Sequence, residues 1–182
     1  MAKSGFTSNT PNGFGLFGVL YKAFNTGAGT GTKIGVSRGG LRFVPNTEIR
    51  NVEYDGKMVP RVGLDRIIGR NPQITGTVIE LRNENLMFAE PGGATPETLQ
   101  GQGGFLAAGQ YHTNVAVAFE RPDGSIFGYN FPKALVVQYE VAGQSAESEA
   151  EMAITLEARL ADQGATPDET EVPFEFFEIA AP

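Results

Sequence analysis

The stretch Glu147-Ser-Glu-Ala-Glu-Met-Ala-Ile-Thr-Leu-Glu-Ala-Arg-Leu160 decides the fold class. Its composition, rich in Ala, Glu, Leu and Met, suits a helix, and Ser148 with Glu151 spells a capping box ahead of Gly164. Its periodicity says otherwise. Odd positions from 147 to 159 carry Glu, Glu, Glu, Ala, Thr, Glu and Arg, while even positions from 146 to 160 carry Ala, Ser, Ala, Met, Ile, Leu, Ala and Leu. A strand turns alternate side chains to opposite faces, so this pattern makes one polar and one apolar side. Wound as a helix at about 100° per residue, Met152, Ile154 and Leu156 would spread over roughly 200°. A strand from at least Met152 to Leu160 is expected.

The same reading extends outward in both directions. Ile74–Leu81 alternates, with Ile74, Gly76 and Val78 on one side and Thr75, Thr77, Ile79 and Leu81 on the other. Val115, Val117 and Phe119 lead into the turn Arg121-Pro-Asp-Gly-Ser125, from which Ile126–Phe131 returns. Ala134–Val141 and the Phe-rich run Val172–Ile179 read as two further strands. Near the start, Phe17, Val19 and Tyr21 alternate with Leu16, Gly18 and Leu20, as in a strand covered on both faces. Asn25-Thr-Gly-Ala-Gly-Thr-Gly-Thr32 reads as a linker or hairpin tip. Asp55-Gly56 between Val52–Tyr54 and Met58–Val62 is a short-range hairpin signal. The period of two is lost at Asn83–Glu90, where Asn83 can cap a helix, Glu84 suits its first turn and Pro91-Gly92-Gly93 stops it. Thr95-Pro96-Glu97 offers one more helical turn. Short strands and a single helix add up to a mainly β protein, an antiparallel β-sandwich or partly closed barrel with one flanking α-helix. Residues 1–13 read as an extended arm, 14–182 as one domain, and 92–110 as a long loop of the kind that is usually functional or mobile.

Composition narrows the function. The 182 residues are 41% hydrophobic and 19% charged, and Gly and Pro number 24 and 11, so turns are frequent. No apolar run approaches the roughly 20 residues of a membrane-spanning helix, and no secretory signal opens the chain, so folding in the cytoplasm is expected. There is no cysteine, which removes disulfides, thiolate metal sites and cysteine nucleophiles together. The net charge of −7 argues against binding nucleic acid by phosphate neutralisation. Its distribution is uneven: residues 1–70 sum to +6, residues 71–144 to −4 and residues 145–182 to −9. Such a gradient either neutralises itself within the domain or attracts copies head to tail.

Chemistry is poorly provided for. His112 is the single histidine, and no Gly-x-Ser-x-Gly elbow accompanies it. Glu147, Glu149 and Glu151 crowd one strand face, an arrangement that usually marks a solvated acidic surface. Asp162–Glu171 lacks the ordered ligand spacing of a calcium loop. No catalytic residue, metal ligand or cofactor site is expected, and the protein reads as a non-enzyme.

The segments Gly39-Gly-Leu-Arg-Phe-Val-Pro45, Ile49-Arg-Asn-Val-Glu-Tyr-Asp-Gly56, Val62-Gly-Leu-Asp-Arg-Ile67 and Ile74-Thr-Gly-Thr-Val-Ile-Glu-Leu81 resemble the N-terminal half of siphophage tail tube (major tail) proteins. Arg121–Ser125, Pro132-Lys-Ala-Leu-Val136 and Glu151–Arg159 are similar to that family's later hairpin and penultimate strand. The likeness runs in the family's order over roughly residues 35–160. It implies a β-sandwich with a flanking helix, assembled as hexameric rings that stack into a hollow tube, with ancestry shared with contractile-tail and type VI secretion tubes. The implied partners are further copies of the chain, a tape-measure protein, and tail-tip or baseplate and tail-terminator proteins. Genomic DNA would pass through without specific binding. The implied location is the virion tail, assembled in the host bacterial cytoplasm.

Two surfaces follow as candidates. The hairpin residues Asp55, Gly56, Lys57 and Arg61 are a candidate inter-subunit contact. A wall of carboxylates would repel passing phosphate, so Glu147, Glu149, Glu151 and Glu157 are a candidate lumen-facing surface, with an outer solvated face as the alternative. The rival from another class is a monomeric β-sandwich binding or head-decoration module. Such modules usually present an aromatic platform, often with Trp, and this chain has none.

Overall fold

A computed structural model describes residues 17–52, 62–80, 82–89, 106, 108–143, 150–160 and 172–181. The 1–13 arm, Glu147, Glu149, the Thr95-Pro96-Glu97 turn and nearly all of the 92–110 loop lie outside the described residues. In chain order the strands are β1 Phe17–Asn25, β2 Thr30–Lys33, β3 Ser37–Val44, β4 Thr47–Asn51, β5 Asp65–Arg70 and β6 Gln73–Val78. The helix α1, Asn83–Ala89, and a 3-10 turn at Ala108–Gln110 come next. The chain then forms β7 His112–Glu120, β8 Ile126–Ala142, β9 Glu151–Arg159 and β10 Glu175–Ile179. The protein is mainly β, and among the described residues every strand pair is antiparallel.

Eight strands form one sheet in the order β2-β1-β7-β8-β9-β6-β3, with β10 alongside β8. The ends of this series do not pair with each other, so the sheet is not a closed barrel. It curls instead. The Ser37 hydroxyl at the start of β3 donates to the Gly18 carbonyl of β1 at 3.2 Å, and the Ile34 amide donates to the Leu20 carbonyl. The curl encloses a core of Leu20, Ile34, Ile74, Val78, Val115, Val117, Phe131, Val136, Met152 and Leu156, each no more than 1% exposed. Full burial of one such side chain contributes roughly 1.5–3 kcal/mol.

From Glu151 to Arg159 the deciding stretch is a strand. Met152, Ile154, Leu156 and Ala158 of β9 point into the core, while Ala153 is exposed and Glu151, Thr155 and Arg159 are half-buried. Burial of the even positions outweighs the helix propensity of the individual residues. The 25–32 segment is a compact hairpin tip: the Asn25 side-chain oxygen accepts from the amides of Gly27 and Ala28 at 2.9 and 3.1 Å. A second, smaller cluster of Phe24, Ala116, Ala118 and Phe177 lies on the other side of β7. The first strand is thus covered on both faces, Leu20 by the main core and Tyr21 by this cluster.

Two details differ from the sequence reading. The segments 126–131 and 134–141, expected as two strands around Pro132, form the single 17-residue strand β8. Proline lacks an amide proton, and the β7–β8 ladder passes from Thr113–Lys133 to Val115–Phe131 in one register without a pair at Pro132, opposite Asn114, whose φ is 50°. The helix lies where expected, yet the Arg82 carbonyl accepts from the Leu86 amide, which places Arg82 rather than Asn83 at the cap position.

Candidate assembly surfaces

The strands β3 and β6 continue beyond the sheet as a second ribbon. At Pro45-Asn46 and Asn71-Pro72 the chain leaves the main sheet, held by a hydrogen bond from the Asn71 amide to the Asn46 carbonyl at 3.2 Å. The buried Pro72 anchors this joint, because its carbonyl accepts from the Ala158 amide of β9 at 3.0 Å. Beyond it β4 and β5 form a separate two-stranded sheet. The Asn51 side-chain amide donates to Asp65 at 2.6 Å, and the Val52 amide donates to the Leu64 carbonyl at 2.8 Å.

This hairpin presents Ile49 opposite Ile67 and Arg50 opposite Arg66. Ile49 is 62% exposed, and Ile67 and Ile68 are about half exposed. A lone two-stranded ribbon is marginal in water, and like charges directly opposite weaken it further. Asp55, Gly56, Lys57 and Arg61 fall in the connection between β4 and β5, outside the described residues. Val62, expected at the end of the returning strand, stands in a turn and is fully exposed.

The acidic candidates divide. Glu151 and Glu157 sit on the same, outward face of β9, since they share parity and oppose the buried even positions. Both meet cations. The Glu157 carboxylate is almost buried, 2.6 Å from the Arg159 guanidinium, and accepts from the Gln73 side chain at 3.3 Å. Glu151 lies 3.7 Å from Arg38 of β3. Between these pairs runs an open groove lined by Thr75, Thr77, Gln138, Glu140, Ala153 and Thr155.

His112 opens β7 with its ring stacked on Phe88 of α1 at a centroid distance of 4.2 Å. Burial holds its pKa below the ordinary value, against a hydrogen bond with the Phe88 backbone and with a small contribution from Lys22. Its Nε2 is buried without a partner. Among the described residues no three His, Asp or Glu side chains group as metal ligands would. Sequence reasoning missed the exposed apolar stretch at the end of β8, where Val137, Tyr139 and Val141 are 44%, 39% and 45% exposed. The alternation of Val137, Tyr139 and Val141 with Gln138 and Glu140 is visible in the sequence, but not which of its sides the sheet leaves open.

Solved structures that contain a similar chain include two gene transfer agent assemblies. One is the tail of an empty gene transfer agent particle, refined helically with C6 symmetry, where the matching chain is 18% identical with a TM-score of 0.43. The other is the virion of a native gene transfer agent particle, with 17% identity and the same TM-score. Each match covers 79% of this chain and 92% of the other. No protein-family model and no curated protein matches the sequence.

Proposed function

We propose that the chain is a structural, non-enzymatic subunit of a bacteriophage tail tube. Copies assemble into rings, hexameric as in the siphophage family it resembles, and the rings stack around a lumen that conducts DNA during ejection. The observation that carries this reading is the β4–β5 hairpin. It stands apart from the main sheet with Ile49, Ile67 and Ile68 open to water. Exposed apolar side chains on a ribbon too small to be stable alone call for a partner surface. The uneven charge along the chain supplies the complementarity that head-to-tail contacts need.

On this reading the acidic residues Glu147, Glu149 and Glu151 line the lumen, where carboxylates keep phosphate from sticking. Glu157 belongs to the same face but serves the Arg159 pair. A tape-measure protein fills the tube before the DNA does, and tail-tip or baseplate and tail-terminator proteins close its ends. The subunit resides in the virion tail after assembly in the host cytoplasm.

Size-exclusion chromatography with negative-stain microscopy of the purified chain tests this. Rings or tubes are expected above a critical concentration. A clean monomer at every concentration overturns the reading and favours a solitary β-sandwich binding module.

A further inference from the structure

β9 and β10 lie end to end along one edge of β8. The other edge is taken by β7 from Ile126 to Ala134, and both strands run antiparallel to β8. β9 ends with Arg159 opposite Lys133, and β10 begins with Glu175 opposite Asn130. At roughly 3.3 Å per residue of β8 these positions are about 10 Å apart. About three or four residues would cover that gap. The chain instead uses twelve, 160–171, before Val172, and extended these reach about 40 Å. That reach matches the diameter of a domain of this size, also about 40 Å.

The seat of the 172–179 segment is built without it. Phe177 fills a hollow between Phe24, Ala116 and Ala118, its ring 4.9 Å from that of Phe24. Phe174 packs on Phe43 and Tyr129, with ring centroids 5.1 and 6.1 Å away. Towards the ends of β10, Glu175 accepts from the Asn130 side-chain amide at 3.3 Å and Glu178 pairs with Arg121. All the receiving residues belong to β1, β3, β7, β8 or the turn between the last two. The fit is imperfect, because the Oδ1 of the buried Asn130 has no partner. Among the described residues the five-residue β10 pairs with β8 alone. A short strand held on one neighbour, beside an unmet acceptor, opens separately from the rest of the sheet.

The segment of one copy fits the seat of any other. Exchange keeps every contact of the closed subunit and ties the copies through their own chains, so it costs little. Passed on in one rotational sense, it is a heterologous contact that closes into a ring. We infer that β10 is an exchangeable strand: in the assembled protein the β8 edge at 126–130 receives the 172–179 segment of a second copy. Phe177 then enters the neighbour's cluster and Glu178 meets its Arg121. The inference rests on the assembly reading above and names what locks the copies together.

The chain has no cysteine, so an introduced disulfide reports which copy supplies the strand. Tyr129 and Phe176 face each other across β8 and β10, as do Asn130 and Glu175. Tyr129→Cys/Phe176→Cys and, separately, Asn130→Cys/Glu175→Cys are purified reduced. Oxidised while dilute, each should close within one chain, run as a monomer on a non-reducing gel and lose assembly until reductant is added. Assembled first and then oxidised, each should run as covalent multimers. A third variant without residues 162–169 keeps enough chain to fill its own seat but not a neighbour's, so it should fold and fail to assemble. A wild type that never assembles overturns the tube reading. Wild-type assembly overturns this inference alone if it is joined by cysteine tubes that run as monomers, by a locked strand that assembles unhindered, or by a shortened chain that forms normal tubes.

Discussion

Gly128 is the position where backbone packing leaves least room. It sits in β8 opposite Ala118 of β7 on one side and Phe177 of β10 on the other. A Cβ added there would lie 2.0 Å from the Val117 carbonyl oxygen, 2.9 Å from the Phe177 ring and 3.0 Å from the Ala118 Cα. Ordinary carbon–oxygen contact begins near ~3.3 Å, so Gly128→Ala must move a strand by more than about 1 Å. Only the Phe177 ring could turn aside; the Val117 oxygen and the Ala118 Cα are backbone atoms of β7 tied into its ladder with β8. Overpacking of about 1–3 kcal/mol, with one or two weakened ladder hydrogen bonds at about 1 kcal/mol each, gives a loss near ~3 kcal/mol. For a domain of this size that lowers Tm by roughly 6–12 °C. Gly143 is the control. It is exposed, with nothing within 4 Å of its added Cβ, so Gly143→Ala should be neutral or stabilise by about 0.4–1 kcal/mol. Urea unfolding of both variants, followed by circular dichroism, reads the difference. A Gly128→Ala midpoint equal to that of the wild type would refute the close approach of β7, β8 and β10.

His112 predicts a pH dependence of definite sign. Its folded pKa is depressed by burial, so the folded state resists protonation more than the unfolded chain does. Its contribution to stability is complete above the ordinary histidine value of about 6.5 and is lost as pH falls through that value towards the folded one. Comparing urea midpoints at about pH 7.5 and about pH 5 should show a smaller drop in His112→Gln than in the wild type, and equal drops would discard this account. The lumen proposal predicts a separate phenotype. Reversing Glu147, Glu149 and Glu151 to lysine should leave tubes intact yet slow genome ejection, because cations would capture passing phosphate. Unchanged ejection kinetics would place that face elsewhere.

Most of the strands were legible because burial imposes alternation that propensity cannot hide. Met152, Ile154 and Leu156 declare their face by spacing alone, and so do Ile74 and Val78. The Asn83–Ala89 helix was legible from the lost period of two and from Glu84 in its first turn, and the Arg121–Ser125 turn from its turn residues, signals that act within a few positions of themselves. Pro132 misled, because a proline ends a strand only where its missing amide proton would have been used. Whether it is used depends on the partner, and here Pro132 falls at the one step, opposite Asn114, where the β7–β8 ladder has no pair.

The amino-acid order by itself determined that this is a mainly β protein with a short helix after Arg82, and that charge is spread unevenly along it. Those properties arise from near neighbours and simple counts. What only the tertiary structure decided is which surfaces remain unpaired: the detached ribbon carrying Ile49 and Arg50, the β8 overhang beyond β7 carrying Tyr139 and Glu140, and the engagement of Glu157 by Arg159 and Gln73. Exposure depends on where strands distant in the chain begin and end beside one another. The β8 overhang exists because β7 stops at His112 while β9 runs on to meet Ala142, a relation set by pairings between distant residues rather than by any local pattern.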